Sequence, residues 1–225
     1  MVLLPCPFFC AMFKRYIILT LALLTALTTQ AQSTWKLSTE KEGIKVYTRP
    51  IPNSKIKALK ADCIMNAKPS QFVAVILDVK GSESWVYHAK GVKLLKQVSP
   101  SELFYYSEVV VPWPFQNRDY IAHIIISQNP KTKVVTIDAP CLADMVPEKN
   151  NIVRIRHSVG KWTIRPMDNN QIKVEYEIEV DPAGVIPAWL INLFATKGPL
   201  ETFERLKLEL PKPAYKNAKV DFIAD

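Results

Sequence analysis

Cysteine is scarce in the 225-residue sequence, at four residues, and where the four stand excludes several functions. Cys6 and Cys10 fall within the first ten residues, and neither sits where a lipid-anchored export signal would need it. Cys63 and Cys141 lack the close spacing of a metal-ligand set, so no metal centre or other cofactor is expected. Two readings of this pair stand: a disulfide in an oxidising compartment, or two buried thiols in separate elements, of which the second is preferred. Blocks of one charge are missing too. The 29 Lys and Arg and 21 Asp and Glu are spread along the chain, which describes a solvated surface with no nucleic-acid footprint, although the basic excess would favour an anionic membrane surface. No internal repeat, low-complexity tract or second-domain linker interrupts the sequence.

A long apolar run occurs once, at the start. Lys14 and Arg15 precede the apolar stretch Tyr16 to Leu27, and Thr28, Thr29, Gln30 and the small residue Ala31 follow it. This is the pattern of a cleaved export signal over residues 1–31, with Met12 as a second possible start. The stretch is short for a membrane span. Lys14 and Arg15 are the only charges it contains, so its removal leaves 194 residues with a net charge of +6. One domain of that length buries roughly 70% of its unfolded surface. The expectation is an exported, soluble monomer, periplasmic or secreted.

What remains alternates between two periods. Residues around Trp35 read as a short helical start, followed by a strand with Ile44, Val46 and Thr48 on one face and a second strand, Ile56 to Met65, with Leu59, Ala61, Cys63 and Met65 on one side. Pro69 opens a helix with Phe72, Val75 and Ile76 on one face, closed by Gly81, and a shorter helical turn carries Trp85, with His88 in the loop beyond as a surface or capping residue. Strands are expected at Val92 to Val98, Leu103 to Val111, Tyr120 to Ser127 and Lys131 to Asp138. Ile152 to Arg165 reads as one long strand with a bulge at Gly160, where the inward phase shifts. Ile172 to Val180 alternates apolar and charged residues, its acidic outer face matching the basic outer face of the strand before it. From Pro187 to Leu210 the apolar residues recur at three and four, with Gly198 and Pro199 as a kink.

The chain is organised around PWPFQNRDYIAHIII, Pro112 to Ile126. Pro112 and Pro114 end one strand's pairing, and Arg118 and Asp119 open the next, where an ion pair or cap is expected of them. A strand as apolar as Ile121 to Ile126 is covered on both faces, or faces a hollow on one. Trp113 and Phe115 in this loop either touch a membrane or pack inward, the latter preferred. The connection Ala139 to Asn151 offers Leu142, Met145 and Val146 either as a functional lid or as side chains packed on its own domain. The element order is two strands, two short helices, about six antiparallel strands and one long helix. It describes an α+β fold in which a curved antiparallel sheet wraps a C-terminal helix.

Four segments in order carry a family resemblance: WKLSTEKEGIKVYTR, the RDY of Arg118 to Tyr120, VPEKNNIVRIRHSVGKWTIRP, and DPAGVIPAWLINLFATKGPLETFERL. Together they make the chain resemble a START (StAR-related lipid-transfer) domain of the helix-grip, Bet v 1-like superfamily, over residues 32–215 with a tail at 216–225. The resemblance implies a tunnel holding one lipid or other hydrophobic molecule, gated by a lid at residues 140–150 and the first turns after Pro187. Candidate lining residues are Tyr106, Glu108 and His123 on the strands, Leu142, Met145 and Val146 in the lid, and Trp189, Asn192, Leu193 and Phe194 on the helix.

Glu108 shares a strand face with Phe104, Tyr106 and Val110. Lining the tunnel, it would bind a polar head group or a cation; one residue out of register, it faces solvent. His123 and His157 read equally as satisfied core histidines. Asn192, within an apolar stripe, needs a helix neighbour or a ligand oxygen as partner. Some members of the family pair a buried acid with a buried base to hold a sterol or head group, and six residues past Arg118, where one such base would be looked for, is Ile124, a departure that speaks against sterol specificity. Relatives with this fold also include aromatic cyclases and hydrolases, so the enzymatic alternative would need His123, Glu108 and a tyrosine to converge on one polar pocket. A third reading is an envelope protein whose interior is filled by its own side chains. No nucleophile, base and orienting group stand together in the sequence, and the preferred reading is a non-catalytic binding protein making transient membrane contact.

Overall fold

Alternation and tight turns build the first layer. In the computed structural model, which describes residues 34–225 other than 53 and 55, β1 (Lys36–Lys41) and β2 (Ile44–Pro50) meet through Glu42 and Gly43. Both turn residues have positive φ, the requirement of a two-residue hairpin whose twist matches its strands. That hairpin turns the expected helical start into an edge strand: Lys36 to Lys41 pair with Ile44 to Thr48, and Trp35 is held by Arg49 and Lys60 over its ring at 4.7 and 5.2 Å. β3 (Lys57–Asn66) pairs antiparallel with β2 and buries Ala61, Cys63 and Met65 as the alternation predicts.

Two short helices follow. α1 (Pro69–Leu77) has Pro69 in its first turn and buries Phe72, Val73, Val75 and Ile76. α2 (Ser82–Trp85) carries Trp85 inward. Gly81 does not close α1, which ends at Asp78; it introduces α2, where an added Cβ would meet the Asp78 carboxylate at 2.5 Å.

Seven strands come next: β4 (Ala89–Ser99), β5 (Glu102–Val109), β6 (Asn117–Gln128), β7 (Val135–Leu142), β8 (Ile152–Arg154), β9 (His157–Met167) and β10 (Gln171–Asp181). The sheet runs β1-β2-β3-β10-β9-β7-β6-β5-β4, with β8 lying parallel to the start of β6. The expected long strand at Ile152 to Arg165 is therefore two strands, and the phase shift occurs at Ile155 and Arg156 between them. Gly160 is not a bulge, because β9 and β10 pair without interruption from His157 opposite Asp181 to Met167 opposite Gln171. Its glycine is explained by close packing, since a Cβ would meet the Tyr176 hydroxyl at 3.2 Å and the Ala139 carbonyl at 3.4 Å.

α3 (Ala188–Glu209) packs against β1, β2 and β3, with Pro187 as its N-cap, and α4 (Pro213–Lys216) packs on α1. Phe203, Leu206 and Leu210 at the end of α3 are fully buried. They close on Trp162, which stacks on Tyr176 at 4.0 Å and meets Phe72 and Phe203 at 5.7 Å each. The C-terminal tail is anchored near its end: Ile223 is buried, the Asp225 side chain accepts from Ser70 N and Oγ at 2.9 and 2.8 Å, and Gln128 pairs with Ala224. The fold is α+β, a long antiparallel sheet with the long C-terminal helix packed on it. The expected export signal, residues 1–31, lies outside the described residues.

Candidate ligand-binding cavity

Between the sheet and the first half of α3 the side chains become too small to meet. Leu190, Ile191, Phe194, Ala195, Gly198, Pro199 and Thr202 recur at helical spacing on the face turned to the sheet. Ala195, Gly198 and Thr202 on that face contribute little volume, whereas Phe203, Leu206 and Leu210 further on fill theirs. The result is a cavity of about 540 Å³, within the ~300–1,000 Å³ typical of small-molecule sites. β10 supplies Tyr176, Ile178 and Val180, the inward set its alternation predicts, and β3 supplies Lys57 and Leu59. Opposite them stand Tyr105 and Val109 of β5, Arg118, Tyr120 and Ala122 of β6, and Ala139 and Cys141 of β7.

The inner end is aromatic. Tyr105 and Tyr120 meet edge to face at 6.0 Å, and burial pushes the phenols of Tyr105 and Tyr176 far above their ordinary range, so both stay neutral donors. A second hollow of about 120 Å³ shares Val86, Tyr105, Tyr120, Ala139, Tyr176 and Thr202 with the first and is bounded by Trp85, whose indole N–H has no partner among the described residues. At the outer end Phe194 sits edge-on to Tyr87 at 5.4 Å and to His88 at 5.6 Å. His88 has positive φ, and its Nδ1 lies 2.7 Å from the Val110 carbonyl, which fixes the loop it was expected to occupy.

Of the ten candidate residues, Asn192 and Phe194 line this cavity. Tyr106 and Glu108 do not. β5 presents Tyr105 and Val109 inward, so the face expected to line the hollow is the opposite one. There Tyr106 and Lys149 both donate to Glu108, at 2.9 and 2.6 Å, and the Lys149 ammonium holds the Glu108 carboxyl below its usual range. His123 lies on the same outer face, stacked on Phe104 at 4.1 Å, with Nε2 2.7 Å from Glu102. Neither His123 nor Glu108 is among the residues lining the cavity.

The expected lid is shorter than Pro140 to Asn150, since β7 runs through Leu142. Leu142, Met145 and Val146 are not among the cavity residues; the loop they belong to is tied to the outer face. Arg154 makes that tie, donating to the carbonyls of Ala143, Val146 and Pro147 while gripping both oxygens of Asp119 at 2.7 and 3.0 Å. Asp119 thus pairs with Arg154, not with its neighbour Arg118, which lines the cavity instead. Trp189 and Leu193 also fall outside the lining: Trp189 is exposed and edges against Phe115 at 6.2 Å. Trp113 was expected to pack inward and is instead 92% exposed.

The residues missed from sequence are Tyr105, Arg118, Tyr120 and Cys141. For the first three, strand parity was the only signal, and β6 is apolar on both faces. Cys63 is buried in β3, with its thiol pushed up to about 12 by burial, and Cys141 is half-buried in β7; both are free.

Residues 19–210 match the model of the START domain family. An uncharacterized protein of Pseudomonas aeruginosa is 34% identical over 175 residues, covering 77% of this chain and 85% of its own. A phosphatidylcholine transfer protein of Bos taurus is 25% identical over 183 residues, covering 73% and 78%. Among solved structures, a STAR-related lipid transfer protein fragment from Xanthomonas axonopodis superposes with a TM-score of 0.73 at 29% identity, covering 79% of this chain and 99% of that one. Human StAR-related lipid transfer protein 5 shares the fold, with a TM-score of 0.66 at 14% identity over 90% and 95%. The chain belongs to the START domain family.

Proposed function

We propose that this protein binds one lipid or other hydrophobic molecule in the cavity under α3 and passes it between membranes, without catalysis. The observation that carries the reading is the hollow itself: about 540 Å³, walled mainly by apolar side chains. Each buried methylene gains about 0.8 kcal/mol, so an enclosed apolar site competes with a bilayer in proportion to the chain it covers. The phosphatidylcholine carried by the Bos taurus relative makes a phospholipid one candidate here. The cyclase or hydrolase alternative has less support, since among the described residues neither hollow is lined by a histidine, aspartate or glutamate.

Exchange requires an opening. Pro182, Ile186 and the first turns of α3 border the cavity, and the Trp113 loop lies against Trp189 through Phe115. Trp113 and Val185 are 92% and 93% exposed and Trp189 is exposed as well, an apolar rim suited to a bilayer surface. The gate in this reading is the Asp181 to Pro187 turn with the start of α3. The loop after Leu142 acts as a brace from outside. Residues 1–31 would direct export, and the monomer would be the carrier; N-terminal sequencing of the protein recovered outside the cytoplasm should begin near Gln32.

The test is transfer of a fluorescent phospholipid between vesicle populations. Transfer above the protein-free rate is expected, and Trp113→Ala with Trp189→Ala should slow it several-fold while leaving bound ligand in place. A rate equal to the protein-free control would contradict the proposal.

A further inference from the structure

Two arginines in this domain are equally withdrawn from water, each 4% exposed, and they differ in what faces them. Arg154, on the outer side of the sheet, grips a carboxylate through two hydrogen bonds. Arg118, on the inner side, faces the cavity and makes no ion pair among the described residues. Its neighbour Asp119 points the other way and is fully engaged by Arg154. The Arg118 guanidinium donates only to main-chain carbonyls: Pro182 and Ala183, both at 3.4 Å, and Gln116. Of its five N–H donors, three are used and two are left.

A buried cation without a counter-charge is unfavourable, and burial alone acts on this one, drawing its pKa down. The rest of the lining offers no relief. Among the described residues its only other charged residue is Lys57, which is exposed, and it contains no carboxylate. The hollow is therefore mainly apolar, and its buried cation among the described residues is Arg118, which stands at the first strand residues beside the Pro182 to Ile186 border.

We propose that Arg118 is the anion-binding group of the cavity, so that the ligand is an amphiphile with a carboxylate or phosphate head held by the guanidinium and its hydrocarbon in the hollow. A planar guanidinium with free donors matches either head in a paired geometry that a hydroxyl or an ester cannot reproduce. The proposal rests on the reading of the cavity as a lipid site and adds the head-group class.

Calorimetric titration of the delipidated protein tests it, with dodecanoate, dodecyl phosphate, dodecanol, methyl dodecanoate and inorganic phosphate alone as probes at one ionic strength. The two anionic amphiphiles should bind about ten-fold or more tightly than the two uncharged ones. Arg118→Gln should erase that margin by weakening the two anionic amphiphiles, and Arg118→Lys should keep part of it. Should Arg118→Gln fail to fold, the wild-type margin and the Arg118→Lys variant decide.

Equal affinity for charged and uncharged amphiphiles in the wild type would overturn the proposal while sparing the lipid-binding reading. A margin that survives Arg118→Gln would overturn it. Inorganic phosphate binding as tightly as dodecyl phosphate would overturn it in favour of a free-anion site. No binding by any amphiphile would overturn this proposal and the lipid-binding reading together.

Discussion

The Asp119 and Arg154 side chains, each 1% exposed, form the most deeply buried ion pair among the described residues, and their value lies in what each would suffer alone. Removing the carboxylate leaves a buried guanidinium uncompensated, so Asp119→Ala should cost about 3–5 kcal/mol in urea unfolding. The same substitution should also free the loop after Leu142, since Arg154 would lose the partner that aims it at the carbonyls of Ala143, Val146 and Pro147. Replacing both residues with apolar ones of similar size should cost far less than either change alone.

Glu108 gives a pH dependence at the same edge of the loop. Lys149 lowers its folded pKa, so the contribution of this pair is present above the ordinary carboxylate range and is lost as pH falls through the lowered value. Limited proteolysis of residues 143–151 should accelerate in the wild type once the pH falls below the ordinary carboxylate range, and Glu108→Gln should make cleavage at neutral pH resemble the acid rate. None of this was legible in sequence, because a strand that is apolar or aromatic on both faces does not show which parity turns inward, and one step reverses the assignment of Tyr105 against Tyr106.

At the level of elements, the hollow is created by small residues on one half of α3. Ala195→Trp should therefore fill the site: bound lipid should fall below detection by extraction, with the melting temperature unchanged or higher. Loss of the folded state would instead show that Ala195 is needed for packing. The helix itself, β3 and β10 were legible because each keeps one period over ten residues or more, and the buried positions of β10, Ile172 and Val174, follow its alternation.

Elements whose limits depend on distant pairing were not legible. Nothing near Trp35 signals a strand until Gly43 folds it back on β2. Pro140 resembles a strand end, yet β7 continues through it, because the ladder to β6 is interrupted there: Asp138 pairs with Ile125 and Cys141 with Ala122, with no pairs between. The break between β8 and β9 likewise follows from β8 leaving the main path to pair with β6.

For the whole molecule, the fold separates two tasks across one sheet. The outer face is knit by Arg154, Asp119, Glu108 and Lys149, which hold the 143–151 loop as a brace. The inner face is left partly unfilled, and the segments that border it carry an exposed apolar rim. Such a division predicts that gate substitutions change exchange while brace substitutions change stability. Phe194→Asp should abolish ligand retention and leave the urea midpoint within error, since Phe194 borders the cavity and is only half-buried.

The central claim is that the hollow under α3 is occupied by a hydrophobic molecule of lipid size. Native mass spectrometry of the purified protein, followed by organic extraction and identification of the released species, tests it directly. The account predicts a mass excess over the polypeptide that disappears on extraction and returns as an amphiphile in near-stoichiometric amount. A protein that carries the bare polypeptide mass from every preparation, and takes up no lipid when incubated with vesicles, would contradict it.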